Sequence, residues 1–220
     1  MNTVSYIRQS ALVDQGKLGD TTVVVIGSGA VGSQVALSLA KMGVGHLSLW
    51  DHDEIVPHNL PNQFFRLDQV ERNKAEATAE NILAMADTHI DIHPTKWRGE
   101  PLKGIVVAAP DLMSVRKQLW ATTNRDPNVP LFVDVRMGGL AGKLYAIQKH
   151  AAPEVFRMYE EDLHGDDVAS PLACGEASIF YGATLLAACA AAVISNHVSG
   201  YAVPPFTLLD GRNIQVFRPE

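Results

Sequence analysis

Gly27, Gly29 and Gly32 stand in the pattern Gly-x-Gly-x-x-Gly, after the β-branched run Thr22-Val-Val-Val-Ile26 and before an apolar segment of helical spacing. Alone, three such glycines specify only a tight turn. Between a buried strand and a helix, with an acidic residue about twenty positions on, they form a nucleotide fingerprint. Asp51 supplies that residue, at the end of the next predicted strand. Glycine lets the backbone approach a phosphate, the helix start offers unpaired N–H groups, and Asp51 can accept hydrogen bonds from ribose hydroxyls. This fingerprint by itself leaves NAD and ATP both open.

The elements that must position these residues follow from hydrophobic periodicity. Strands are predicted at 22–26, 46–50, 90–93, 105–109, 131–135 and 144–148, and helices at 33–42, 73–87 and 112–123. The alternation predicts an α/β fold: a doubly wound, mostly parallel Rossmann-like sheet with helices on both faces, an antiparallel end and a short C-terminal extension. The expected organisation is one domain over 1–220, made of an N-terminal arm (1–20), a Rossmann-like core (21–148), a mobile crossover loop with one short helix (149–176), and an apolar helix with terminal strands (177–220). Pro204-Pro205 precedes a final strand or hairpin at 206–217.

Composition narrows the function classes. With 220 residues, 47% hydrophobic and 19% charged, the chain can bury a core without disulfides or metals. A formal net charge of -6 gives no bulk attraction for nucleic acid. The two cysteines, Cys174 and Cys189, form no CxxC pair, and the eight histidines fall in no zinc pattern such as HExxH, so no zinc is assigned. Residues 177–200 carry no Asp, Glu, Lys or Arg, yet Ser178, Tyr181, Gly182, Thr184, Ser195, Asn196 and His197 interrupt the run, which reads as a buried helix rather than a membrane span. The first twenty residues lack the apolar stretch of a signal peptide, and the expected compartment is the cytoplasm.

The segment after the second strand separates the nucleotides. Asp51-His-Asp53-Glu-Ile-Val-Pro-His-Asn59-Leu60-Pro-Asn62-Gln63, followed by Lys74 at a helix start, resembles the Asp-x-Asp, Asn-Leu-x-Arg-Gln and downstream lysine series of the ThiF/MoeB-like adenylyltransferases of the ubiquitin-activating superfamily. The likeness extends to Ile7-Arg8-Gln9 upstream and to Val107-Ala-Ala-Pro-Asp111 with Arg116 downstream. The resemblance implies an ATP-dependent enzyme that activates the C-terminal carboxylate of a ubiquitin-like protein, sulfur carrier or peptide as an acyl-adenylate. It also implies roles. Asp51 and Asp53 bind the ribose and its surroundings, Asn59, Gln63 and Lys74 contact the phosphates, Asp111 holds Mg2+, and Arg8 reaches the phosphates of the other subunit of a homodimer.

Each of these residues has a plainer use as well. Asp111 suits the cap of the following helix, Asn59 suits a turn, and Lys74 and Arg8 suit a solvated surface. One position departs from the pattern: Asn62 replaces the family arginine and removes a positive charge, so that either Arg66 or Arg72 substitutes from nearby, or turnover is slower, or the chain is the nucleotide-poor partner of a heterodimer. Cys174, between an acidic loop and a helix start, is the candidate acceptor of the activated acyl group, against the plain reading of a small buried residue. Cys189, inside the Ala-rich run, is read as packing. Two other readings stay open: a catalytically weak nucleotide-binding subunit of a heterodimer, and an NAD-dependent oxidoreductase.

Overall fold

The computed structural model describes residues 4–166 and 178–218. The strands are β1 (Thr22–Ile26), β2 (His46–Trp50), β3 (Asp91–His93), β4 (Ile105–Ala108), β5 (Leu131–Gly138), β6 (Ala141–Gln148), β7 (Phe206–Asp210) and β8 (Gln215–Phe217). The helices are α1 (Gln15–Gly19), α2 (Gly32–Met42), α3 (Lys74–Ala86), α4 (Met113–Thr123), α5 (Pro153–Glu161) and α6 (Phe180–Ser199). One eight-stranded sheet runs β3-β2-β1-β4-β5-β6-β7-β8. The first five in that order pair in parallel and the last three antiparallel.

The parallel half is doubly wound, because its central strands β1, β4 and β5 are buried on both faces and send alternate side chains to two separate cores. Val23 and Val25 of β1 face a layer built with α2, α3 and α6, including Val35, Leu39, Ile82 and Ile194. Val24 and Ile26 face the opposite layer with Trp120 of α4 and Tyr159 of α5. β1 pairs with β2 on one side and β4 on the other, so the chain reverses its direction of winding between β1 and β4. In such sheets the crevice at the carboxyl ends of these two strands is the ligand-binding position.

The sheet's antiparallel end is longer than periodicity predicted. β5 runs to Gly138 and β6 starts at Ala141, a hairpin turned at Gly139 with φ of 60°. Arg136, Gly138, Gly139 and Lys143 break the apolar pattern there, which hid this extension. α6 is long and apolar enough to cross a membrane by composition, but it lies against α2, β5 and β6 with Ala183, Leu186, Ala187, Ala190 and Ile194 in the core. Its Ala-rich face lets it approach the sheet closely. Within the segment expected to be a loop with one short helix, 153–161 is the helix, and Asp162 is fastened by Arg136, Lys143 and Tyr145.

Candidate nucleotide site

The glycine loop turns at Gly27, whose φ is 97°, directly against the chain leaving β4: a Cβ there would come 2.5 Å from the Ala109 carbonyl oxygen. Gly32 is equally constrained, since its Cβ would lie 1.9 Å from the Gly27 carbonyl oxygen. Gly29 differs. A Cβ on it would meet nothing within 4 Å, and its φ is not positive, so neither packing nor backbone geometry calls for glycine. The N–H groups of Gly29, Ala30 and Val31 donate no hydrogen bond among the described residues. An open approach to unpaired N–H groups at a helix start is the arrangement that receives a phosphate.

Asp51 ties this loop to the end of β2. Its Oδ2 accepts from the Ser28 N–H at 2.6 Å and its Oδ1 from the Asp53 N–H at 2.8 Å. Burial pushes the Asp51 carboxyl pKa up, and these two N–H groups and the Lys74 charge offset only part of that. Ser28 Oγ lies 2.7 Å from Thr78 Oγ1, joining the loop to α3. On the other side, Gln34 Nε2 donates to the Ala30 carbonyl at 2.9 Å while Thr184 Oγ1 of α6 donates to Gln34 Oε1 at 2.7 Å.

Lys74 is brought in by a helix cap. Asn73 Oδ1 accepts from the Ala75 and Glu76 N–H groups, and its Nδ2 donates to the carbonyls of Asp51 and Asp53. One side chain therefore starts α3 and fastens it to the carboxyl end of β2. The Lys74 ammonium donates to Asp53 Oδ2 at 2.9 Å with its side chain only 10% exposed, which excludes the solvated-surface reading. Asn73 went unassigned in the sequence, although Asn73-x-x-Glu76 is a recognisable helix-start signal. Ser28, Thr78 and Gln34 carried no such signal.

Asn59 is buried, and its Oδ1 accepts from the Val56 N–H at 3.1 Å, the turn use open to it. Gln63 N donates to the Asn59 carbonyl at 2.8 Å, while the Gln63 Oε1 is buried without a partner. Asn62 Nδ2 donates to Ser178 Oγ at 2.9 Å, and its Oδ1 is likewise buried and unpartnered. Neither neighbouring arginine stands free to replace the missing charge. Arg66 pairs with Asp68, Glu80 and Asn81, and Arg72 with Glu80.

Asp111 is exposed two residues beyond the Ala109 carbonyl that abuts Gly27. It does not cap α4: the Ser114 N–H donates instead to Asp166 at 2.9 Å. Among the described residues the Asp111 carboxylate has no hydrogen bond or ion pair. Arg8 is exposed on a turn held to α2 by Gln9 Nε2, which donates to the Lys41 carbonyl at 3.0 Å. Asp51, His52 and Asp53 lie close enough to share a cation, although each Asp51 oxygen already accepts one backbone N–H and Asp53 Oδ2 is paired with the Lys74 ammonium. Cys174 lies outside the described residues. Cys189 is a half-buried thiol on α6 whose pKa burial pushes up, consistent with packing.

The glycine loop, the Asp51–Asp53–Lys74 group and the β4 turn thus converge at the winding reversal. Residues 5–201 match the family model described as the ThiF family. The chain belongs to the ThiF family. Over 119 residues it is 33% identical to the sulfur carrier protein ThiS adenylyltransferase of Escherichia coli (strain K12), covering 50% of this chain and 47% of that protein. It is 33% identical over 87 residues to ubiquitin-like modifier-activating enzyme 5 of Caenorhabditis briggsae, covering 39% of this chain and 20% of the relative. The chain therefore spans less than half of these ThiF relatives.

Among solved structures, E. coli MccB crystallised with AMPCPP and MccA superposes with a TM-score of 0.76 at 18% identity, covering 94% of this chain and 65% of that one. PaaA superposes at 0.73 and 17% identity, covering 94% and 65%. At those identities the likeness is one of fold. The ThiF-type, Rossmann-like α/β architecture is the one expected from the sequence.

Proposed function

We propose that this ThiF-family chain uses ATP to adenylate a C-terminal carboxylate of a ubiquitin-like protein, sulfur carrier or peptide. The observation that carries the reading is the space at Gly29. Where a side chain would fit without strain, the chain leaves unpaired N–H groups facing an open approach, with a buried lysine and an uncommitted carboxylate around it. The names of the E. coli and C. briggsae relatives, and the AMPCPP and MccA bound to MccB, support a triphosphate and an acyl substrate.

The ATP phosphates rest on the glycine-loop N–H groups, and Asp51, already oriented by two backbone donors, accepts from the ribose. Lys74 exchanges part of its contact with Asp53 for phosphate oxygens, and Asn59 and Gln63 are assigned phosphate contacts beside it by the family resemblance. Mg2+ neutralises phosphate charge when bound, and Asp111 is the hard oxygen ligand suited to it, since this ion takes one or two carboxylates together with substrate phosphates. A carboxylate oxygen of the substrate attacks the α-phosphorus, the bond to the bridging oxygen breaks, and pyrophosphate departs. Because that nucleophile is already ionised, no strong base is needed, and alignment with charge neutralisation supplies the rate.

The same proposal includes a homodimer in which Arg8 reaches the neighbouring subunit's phosphates, a cytoplasmic location, and Cys174 as acceptor. There the thiol loses its proton, its sulfur attacks the acyl-adenylate carbonyl, and AMP leaves. A weakly catalytic nucleotide-binding subunit is the second reading, favoured by Asn62 in the arginine's place with Arg66 and Arg72 already paired.

ATP–pyrophosphate exchange with candidate carriers tests the first reading against the second. Exchange that depends on a carrier C-terminus supports activation, and ATP binding without exchange across a carrier panel supports the weak subunit. Mixing R8A and K74A subunits is expected to restore part of the exchange by reuniting one complete site. No restoration, with the protein strictly monomeric in sedimentation, removes the shared-site proposal.

A further inference from the structure

We propose that Arg116 and Asp134 are positioning residues for Asp111, holding its turn in the conformation that receives the metal–nucleotide complex; this rests on the adenylation reading above. Arg116 is buried on α4, and its guanidinium divides its donors among one carboxylate and two backbone carbonyls. Nη1 pairs with Asp134 Oδ1 of β5 and also reaches the Ala108 carbonyl at 3.4 Å, while Nη2 donates to the Pro110 carbonyl. The two carbonyls flank Ala109, the residue against which Gly27 turns. A single planar group thus shapes the backbone that walls the glycine loop and leads into Asp111.

The guanidinium is itself fixed. Asp134 is fully buried, and its second oxygen accepts from Arg136 Nε at 2.8 Å and from the Tyr159 hydroxyl at 2.9 Å. Downstream of Asp111, the Ser114 N–H is held by Asp166. Asp111 therefore sits between two pinned points with its own carboxylate uncommitted. A buried ion pair adds little stability over well-packed apolar residues, whereas a forked donor set adds direction, which a lysine of equal charge cannot reproduce. The placement, against carbonyls on either side of the loop's wall, points to a role in aiming Asp111.

The test is a double-mutant cycle on the full chain, with calorimetric affinities for ATP measured in Mg2+ and in EDTA and a melting curve for each variant. The readout is the gain in affinity that Mg2+ confers. D111N is expected to lose that gain, R116K to lose about 10- to 100-fold of it, as for groups that orient metal ligands, and D111N/R116K to lose no more than D111N alone. A purely structural pair would lower the melting temperature in R116K and leave the gain intact. That result, or multiplicative losses in the double variant, overturns the assignment. If R116K does not fold, D134N, which keeps the side-chain shape, takes its place in the cycle with the same expectations. A wild-type chain that binds no ATP overturns the adenylation reading instead, so the two failures are distinct.

Discussion

Gly32 lies so close beneath Gly27 that a Cβ on the first would fall 1.9 Å from the carbonyl oxygen of the second. The clash is with backbone, which cannot swing aside. Gly32→Ala is therefore expected to cost about 1–3 kcal/mol or more through forced overpacking, seen as a lowered denaturation midpoint. A variant melting with wild type would show that the loop relaxes freely.

Gly29→Ala is expected to do the opposite. The new methyl meets open space, and alanine restricts the unfolded chain, so stability is predicted to stay level or rise by about 0.4–1 kcal/mol. ATP affinity is predicted to fall about tenfold or more, equivalent to about 1.4 kcal/mol per decade, because the methyl occupies the phosphate approach. Unchanged affinity would mean that no ligand comes near this loop.

These glycines mark how far the sequence could be read. Gly-x-Gly-x-x-Gly, Asp51 and Lys74 were visible because each combines a special residue type with a fixed offset from a periodic element. The β1–α2–β2 unit and α3 came out within a residue or so for the same reason. What stayed hidden is contact between distant segments: Thr184 with Gln34 across 150 positions, or Asp166 capping α4 from 52 positions away. The Arg66–Glu80 pairing likewise decides whether a charge is free, and no local pattern encodes it.

Lys74→Ala removes the partner of Asp53 and a positive charge close to Asp51. Since Asp53 is 47% exposed, the stability loss is expected to be about 1 kcal/mol or less. ATP affinity is expected to drop far more steeply. A variant that binds ATP as wild type would move the phosphate contact elsewhere.

Arg66→Ala is expected to leave ATP affinity nearly unchanged, since its guanidinium is spent on Asp68, Glu80 and Asn81. A steep loss in calorimetry would show that Arg66 leaves this network to replace the arginine absent at position 62.

Acid should loosen the segment after α5. Burial alone would push the Asp162 pKa up, but hydrogen bonds from Lys143 and Tyr145 and the charges of Lys143 and Arg136 reverse this and hold it below the ordinary value. The Ser114 N–H similarly holds Asp166 down. A carboxyl depressed on folding stabilises fully above its unfolded pKa, and that contribution disappears as the pH falls through the folded one. Melting temperature is therefore predicted to fall as the pH drops below the ordinary carboxylate range, with a flatter acid limb in D162N. Parallel wild-type and D162N profiles would discount Asp162 as the source.

This ThiF-family fold is expected to present a triphosphate site rather than a dinucleotide site. Calorimetric titration of the purified chain with ATP and Mg2+, and separately with NAD, tests it most directly. Saturable binding of ATP, strongly weakened in K74A, with no binding of NAD is the predicted result. Tight NAD binding with no heat from ATP would contradict it.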